Sequence, residues 1–507
     1  MSLNSNGEVQ QGGGTSIYKS IWDTSESCPN YLNSIPILTS HYLISYSTSG
    51  DKTTLKVIKV GENPLEETTE VHTAYYEEDY NLYKIVTLDQ SSGIFVSISQ
   101  DVSNVTETAY VMIGRVTVSA DDEYNIVYGS KVQYADIFSL NPMVTSLSSV
   151  AFAISYYDNS AIATRYGVID SQTLEITLSD PYIYADNADY TKVHSIAGLT
   201  SSTYLLTYYD NSEGYVQYSG PLHAKLVSVS LNTGTSKYEY DILSSNVFNN
   251  TLLRDYFNTA TIKDNTVVVA YIDAIDSNVK VSSITINNDN NLMLASTVSI
   301  TTGETLSTYS DGVSMDIDIT TIPNTNNFML LFSDVGNNGY MTYSLGKYGN
   351  DGELSKLYSN FVLSDAIDED SEYLWASINS NNVDQVSILS SVTDKSCSSN
   401  QKSYSVNLGL MERLSTPIGL ASTSKSATKV ILHGEITTQN KLKQGYRYYT
   451  NTIGTLIPGN NYIGQEAVDV NPVDYVVDSD TNTIITKDST IGIATSASKM
   501  YITPIFF

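Results

Sequence analysis

The sequence predicts an all-β fold, a seven-bladed β-propeller closed by an N-terminal strand and followed by a small C-terminal β-domain. Three observations predict it. Tyr and the β-favouring residues Thr, Val and Ile abound, together with Ser and Asn, with 40 Tyr in 507 residues. The stretch Tyr-Tyr-Asp-Asn-Ser occurs twice, at Tyr156–Ser160 and Tyr208–Ser212, 52 residues apart. That interval suits one unit of a repeat architecture and is too long for a hairpin. Finally, a short apolar or alternating run returns seven times along the chain.

Those runs are "HYLISYST" from His41, "IFVSISQD" from Ile94, "VAFAISYYD" from Val150, "TYLLTYYD" from Thr203, "TVVVAYID" from Thr266, "FMLLFSD" from Phe328 and "QVSILSSV" from Gln385. Each reads as the second strand of a unit. Five end at an acid, Asp101, Asp158, Asp210, Asp273 and Asp334, with Thr48 at the equivalent place in the first unit. A shorter strand precedes each run, as in the near copies "NSIPILTS" and "HSIAGLTSS", and a third strand follows a turn rich in Asn, Ser or Gly. A fourth, as in "LEITLSDPYIY" and "KYEYDIL", completes the unit.

The seventh unit shows no fourth strand of its own. "TSIYKSIWDTS" near the N-terminus has that character, so Ile17–Trp22 is expected to pair with Ser403–Gly409 and close the ring. Cys28 follows this strand and Cys397 lies between strands two and three of the last unit, on the same face. A Cys28–Cys397 disulfide stapling the joint is therefore expected. The divisions follow: 1–14 a flexible N-terminus, 15–411 the propeller, and 412–507 a β-sandwich or barrel-like module.

The tail repeats Ile418-Gly419-Leu420-Ala421 as Ile491-Gly492-Ile493-Ala494 and adds the strand Gln444–Tyr449, "GTLIPG" and the closing "ATSASKMYI". In these features it resembles C-terminal modules of repeat proteins from phages and large algal viruses, and of tail-fibre and decoration proteins. The repeats also resemble propeller repeats found beside such modules. The acidic insert Glu466–Asp480 departs from that pattern. The resemblance implies a virion or extracellular structural protein and identifies no catalytic residue. By analogy with fibres, it implies a homo-oligomer formed through the tail.

Lys and Arg number 26 against 55 acids, a formal charge of −29, which repels phosphate backbones and argues against nucleic acid as a partner. No run is long and apolar enough for a membrane span, and the first residues lack the pattern of a signal peptide. The chain has no HExxH, Walker A loop, dinucleotide fingerprint or CxxC pair. The five His residues are scattered and read as structural.

The expected ligand-binding face carries the strand 2–3 and 4–1 loops. It includes Asp101, Asp158, Asp210, Asp273 and Asp334, with Tyr156, Tyr157, Tyr208 and Tyr209. Tyr rings stack on sugars, and carboxylates hydrogen-bond hydroxyls or hold Ca²⁺. The plainer alternative is that each Asp caps the turn that follows it through an Asx hydrogen bond. Asp478 and Asp480 are further candidates for a Ca²⁺ site.

Three functions remain open at this point. The first is a non-enzymatic structural or attachment protein, whose partners are surface glycans or neighbouring particle proteins. The second is a secreted carbohydrate-binding propeller. The third is a hydrolase with acids converging in the channel, where Asp316, Asp318 and Asn258 are the candidates.

Overall fold

The computed structural model describes residues 16–413, except 27–29, 48–52, 61–68, 77–79, 102–107, 137–141, 159–160, 185–193, 210–218, 302–313, 335–339, 357–360, 363–370, 383–384, 395–403 and the single residues 274, 277, 316, 324 and 350. Outside that span it describes short strands alone. Every second-strand run predicted from the sequence is a strand: His41–Ser47, Ile94–Asp101, Ala151–Asp158, Thr203–Tyr209, Thr266–Asp273, Asn327–Asp334 and Gln385–Asp394. Each pairs antiparallel with the strand before it. Those inner partners are Asn30–Ile37, Tyr80–Asp89, Met143–Ser148, His194–Thr200, the last third of Lys237–Lys263, Ile317–Thr321 and Ser371–Asn382. The inner strands pack one against the next in chain order, and Ser371–Asn382 packs on Asn30–Ile37 to complete the circuit. This is a β-propeller. No helix among the described residues is long and apolar enough to cross a membrane.

Hydrogen bonding divides the propeller strands into six sheets, where the sequence predicts seven. The difference lies in one strand. Lys237–Lys263 runs for 27 residues as the outermost strand of one four-stranded unit and then as the innermost strand of the next, giving a single seven-stranded sheet. Its sequence has neither Gly nor Pro to end it. It turns instead through irregular pairing: Leu252 sits opposite Asp273, but the next partners are Phe257 and Tyr271. Pro has the opposite effect in the unit before. There the fourth strand is split into Ile176–Leu178 and Tyr182–Ile183, both paired to Ala161–Ile169, with Pro181 between them.

The N-terminal strand closes the last sheet. Ser16–Glu26 lies antiparallel to Tyr404–Arg413, with Trp22 opposite Leu408 and Glu26 opposite Tyr404. The ladder is longer than expected, since Ile17 faces Glu412, beyond the predicted partner stretch. In the tail, a five-stranded sheet has the order Gly434–Thr437, Lys499–Ile502, Thr490–Ser496, Tyr446–Thr450, Leu456–Tyr462. The recurring Ile-Gly-x-Ala segments do not share it: Leu420–Ala421 pairs with Val430–Ile431 in a separate sheet.

The core fills the seams between consecutive units. One cluster joins Ile98, Val111 and Tyr134 of the second unit to Val144, Phe152 and Ile154 of the third. Equivalent clusters occupy the seams on either side and the two seams that follow. Where their side chains are described, the second strands are buried along nearly their whole length, as in Thr266–Asp273, where all eight residues are buried. Burying each Val, Leu, Ile or Phe there stabilises the fold by about 1.5–3 kcal/mol. This explains why those runs read as continuously apolar rather than alternating.

Candidate functional site

The repeated motif leads first to the seams. Tyr156 and Tyr208 are 1% and 4% exposed, and the residues at the same place in other units, Tyr46, Tyr271 and Phe332, are also buried. Tyr156, Tyr208, Tyr271 and Phe332 each pack in the cluster between their own unit and the one before. Tyr156 meets Tyr134 edge-on at 5.3 Å between ring centroids, and Tyr208 stacks on His223 at 5.0 Å. These two rings therefore lie inside the packing and present no face to a sugar. Tyr157 is half-buried, and the side chain of Tyr209 lies outside the described residues.

The strand-end acids divide in the same way. Asp101 and Asp273 are buried and Asp158 is half-buried. Asp210 and the side chain of Asp334 lie outside the described residues. Asp273 is the best resolved chemically. Its Oδ1 accepts from the Ile275 amide at 2.8 Å, the hydrogen bond of an Asx turn, and its Oδ2 pairs with Lys280 Nζ at 3.0 Å. Lys280 also reaches Asp276, at 2.7 Å. Asp273 thus caps the corner at which its strand ends. Asp316, Asp480, the side chain of Asp478, Cys28 and Cys397 lie outside the described residues. Among the described residues, no group of three His, Cys, Asp or Glu stands close enough to hold a metal ion.

A concave feature among the described residues is the channel enclosed by the inner strands. A cavity of about 170 Å³ is lined by Asn33, Lys84, Met143, Ile196, Asn258, Asp318 and Ile378, among others, so every inner strand contributes to it. A second cavity, of about 350 Å³, is lined by Pro36, Thr87, Ser146, Gly198, Thr261 and Thr321. The two share Val86, Thr145, Ile196, Thr259 and Asn379.

Asp318 is buried in the wall of this channel. Its Oδ1 accepts from Asn258 Nδ2 at 2.8 Å and from the Ile319 amide at 3.0 Å, and its Oδ2 accepts from the Ile378 amide at 2.8 Å. Asn258 Oδ1 in turn accepts from Ser195 Oγ at 2.9 Å. A single carboxylate therefore joins three successive inner strands, and the amide beside it reaches a fourth. Burial pushes the Asp318 carboxyl above the usual carboxylate range, opposed by the Lys84 ammonium and by the three N–H donors. The candidates Asp318 and Asn258 are thus brought together, as a structural tie.

A second set of ties escaped the sequence reading. Thr87 Oγ1 donates to the Pro36 carbonyl (2.6 Å), Thr261 Oγ1 to the Gly198 carbonyl (2.6 Å), and Thr321 Oγ1 to the Thr261 carbonyl (2.8 Å). Each donor sits one unit after its acceptor, at the equivalent inner-strand position. The signal was present in the sequence, because each of these residues precedes Leu or Ile: Thr87-Leu88, Thr261-Ile262, Thr321-Ile322 and Pro36-Ile37.

No family model matches the chain, and no curated protein matches it. Solved structures do resemble it. The phage phi92 endosialidase aligns over 94% of this chain and 79% of its own, at 9% identity and a TM-score of 0.40. Prolyl oligopeptidase B from Galerina marginata aligns over 88% of this chain and 55% of its own, at 10% identity and a TM-score of 0.39. Hsv2 from Kluyveromyces lactis aligns over 74% and 93%, at 11% identity and a TM-score of 0.37. Likenesses this distant say nothing of the activity of this chain.

Proposed function

We propose that this chain is a non-enzymatic structural or attachment protein of a virion or extracellular surface. Its propeller, residues 15–411, consists of seven four-stranded units and offers the face bearing the strand 2–3 and 4–1 loops for recognition. Residues 412–507 anchor or oligomerise it. Its partners are surface glycans or neighbouring structural proteins, and Ca²⁺ bound by the acidic loops is compatible with this reading.

One observation carries the proposal. The acid buried in the channel wall, Asp318, takes N–H donors from three inner strands, the bonding of a structural tie rather than of a proton donor. Asp273 and the rings of Tyr156 and Tyr208 support it, each engaged in a turn or a seam. The rigid ring that results suits the display of loops to a partner.

A glycan array probed with the intact chain, in Ca²⁺ and in chelator, tests the reading. Specific retention of a glycan supports surface recognition, and its loss in chelator would assign the acidic loops to metal. Absence of binding to any glycan would remove glycans as partners and leave assembly with other structural proteins as the form of the proposal to test, by crosslinking in the assembled particle.

A further inference from the structure

We propose that the channel holds a binding site for a small carboxylate, anchored by Lys84. The side chain lies on the inner strand Tyr80–Asp89 and lines the smaller cavity, where it is the one cation among the described lining residues. Asp318, which belongs to an inner strand on another part of the ring, lines the same cavity, and the Lys84 charge opposes the rise of its carboxyl pKa. Among the described residues, however, no hydrogen bond or ion pair joins the ammonium to Asp318 or to any other acceptor. The acid is already bonded to Asn258, Ile319 and Ile378. Lys84 therefore offers three N–H donors inside a polar cavity with no acceptor on them among the described residues.

The surroundings favour an anion there. Thr145 Oγ1 accepts from the Gly198 amide at 3.1 Å, which leaves its own hydroxyl proton to donate, and Thr145 lines both cavities. The chain as a whole carries −29, and the Lys84 ammonium offsets that repulsion locally in a channel whose acid, Asp318, is already bonded to three N–H donors. A carboxylate on Lys84 would form charge-assisted hydrogen bonds, stronger than those of a neutral hydroxyl. The smaller cavity, at about 170 Å³, accepts a carboxylate group, and the adjoining space of about 350 Å³ accepts a sugar ring attached to it. The ligand chemistry is thus shared by a free small acid and an acidic sugar. The inference does not depend on the attachment reading, because channel binding and retention of glycans on the loop face are measured separately.

Calorimetric titration of the intact chain with sodium acetate, sodium glucuronate and glucose at matched ionic strength tests it, with Lys84→Met and Lys84→Arg alongside. At least one carboxylate should bind with Kd of about 1 mM or tighter, and glucose at least about tenfold more weakly. Lys84→Met should weaken carboxylate binding by about tenfold or more, whereas Lys84→Arg retains it within a few-fold. Comparable acetate and glucuronate affinities would identify a free small acid, and a tenfold preference for glucuronate an acidic sugar. Three results would overturn the proposal: neither carboxylate binds, glucose binds as tightly as glucuronate, or Lys84→Met melts and binds like the wild type. If the Met variant does not fold, the comparison of glucose with glucuronate on the wild type still decides.

Discussion

Phe152 faces Gly167 directly across the ladder of the third unit, and its ring fills the place a side chain on that glycine would take. A Cβ added to Gly167 would stand 2.2 Å from Phe152 Cζ. The same pair recurs as Phe95 with Gly114 and Phe328 with Gly346, at 2.2 and 2.1 Å. Where the second strand carries Phe at its second position, the third strand gives way to glycine, whereas Tyr42 and Tyr204 at the same position face Ile58 and Val227.

Gly167→Ala should therefore destabilise the fold by about 1–3 kcal/mol through overpacking. Phe152→Leu should cost less in the Gly167→Ala background than alone, giving a coupling of about 0.5–3 kcal/mol in a double-mutant cycle followed by denaturant unfolding. Additive effects would mean that the two residues do not share the space.

The Asp318 tie predicts a structural phenotype. Asp318→Ala leaves the buried amides of Ile319 and Ile378 without their acceptor and should lower stability by about 2–4 kcal/mol. Thr261→Val, which removes one hydroxyl tie to the Gly198 carbonyl, should lower it by about 0.5–1.5 kcal/mol. Thermal unfolding of both variants checks the order.

Buried histidines make stability fall in acid. His194 is enclosed in the seam between the third and fourth units, and burial depresses its pKa to about 4. The Ser155 backbone is the one group favouring the charged ring, and it lies outside good hydrogen-bonding geometry. His41, bonded to Tyr124 at 2.9 Å, is held at about 4 by burial and by Lys59. In the unfolded chain both rings protonate near pH 6.5, but in the folded chain only near 4. Stability is therefore full above pH 6.5 and is lost as the pH falls towards 4, with His194 contributing on the order of 2–3 kcal/mol. Asp318 acts in the opposite sense, since a raised carboxyl pKa gives stability that is present at low pH and lost as the pH rises through its folded value. Melting temperatures between pH 7.5 and 4.5 should fall more steeply for the wild type than for His194→Leu.

The joint between the ends makes two further predictions. Glu26 and Tyr404 are register partners, so the connections carrying Cys28 and Cys397 leave the same end of the last sheet. Mass analysis without reductant should find the two cysteines linked, and Cys28→Ser should lower the melting temperature. Deletion of residues 1–26 should cost more, because it exposes Tyr404–Arg413 as an unpaired edge. The expected signs are aggregation and loss of a single cooperative transition.

Much of this fold was legible because its signals are local. Second strands such as Thr266–Asp273 and Ile94–Asp101 are buried on both faces and so appear as apolar runs, and Ser16–Glu26 was recognisable as a strand lacking a partner. The count of sheets was not legible in the same way. Lys237–Lys263 reads as two strands because two units need one each, although no residue within it ends a strand. The candidate site was legible only in part, for a geometric reason. Sequence places Asp and Tyr at a strand end but does not say which way the ring points. Tyr156 turns into the seam, whereas Tyr157, one residue later, is only half-buried. The Asp318 tie depends on Asn258 and Ile378, each 60 residues away, and on which inner strands become neighbours when the ring closes.

The most direct test of the central claim is to incubate the intact chain with the glycan it retains on an array and to measure released reducing sugar, wild type beside Asp318→Asn. If Asp318 is a tie in a recognition scaffold, the glycan stays bound and unshortened, and the folded Asn variant retains it equally. Release of sugar by the wild type that stops in the folded Asn variant would contradict the account and make the channel an active site.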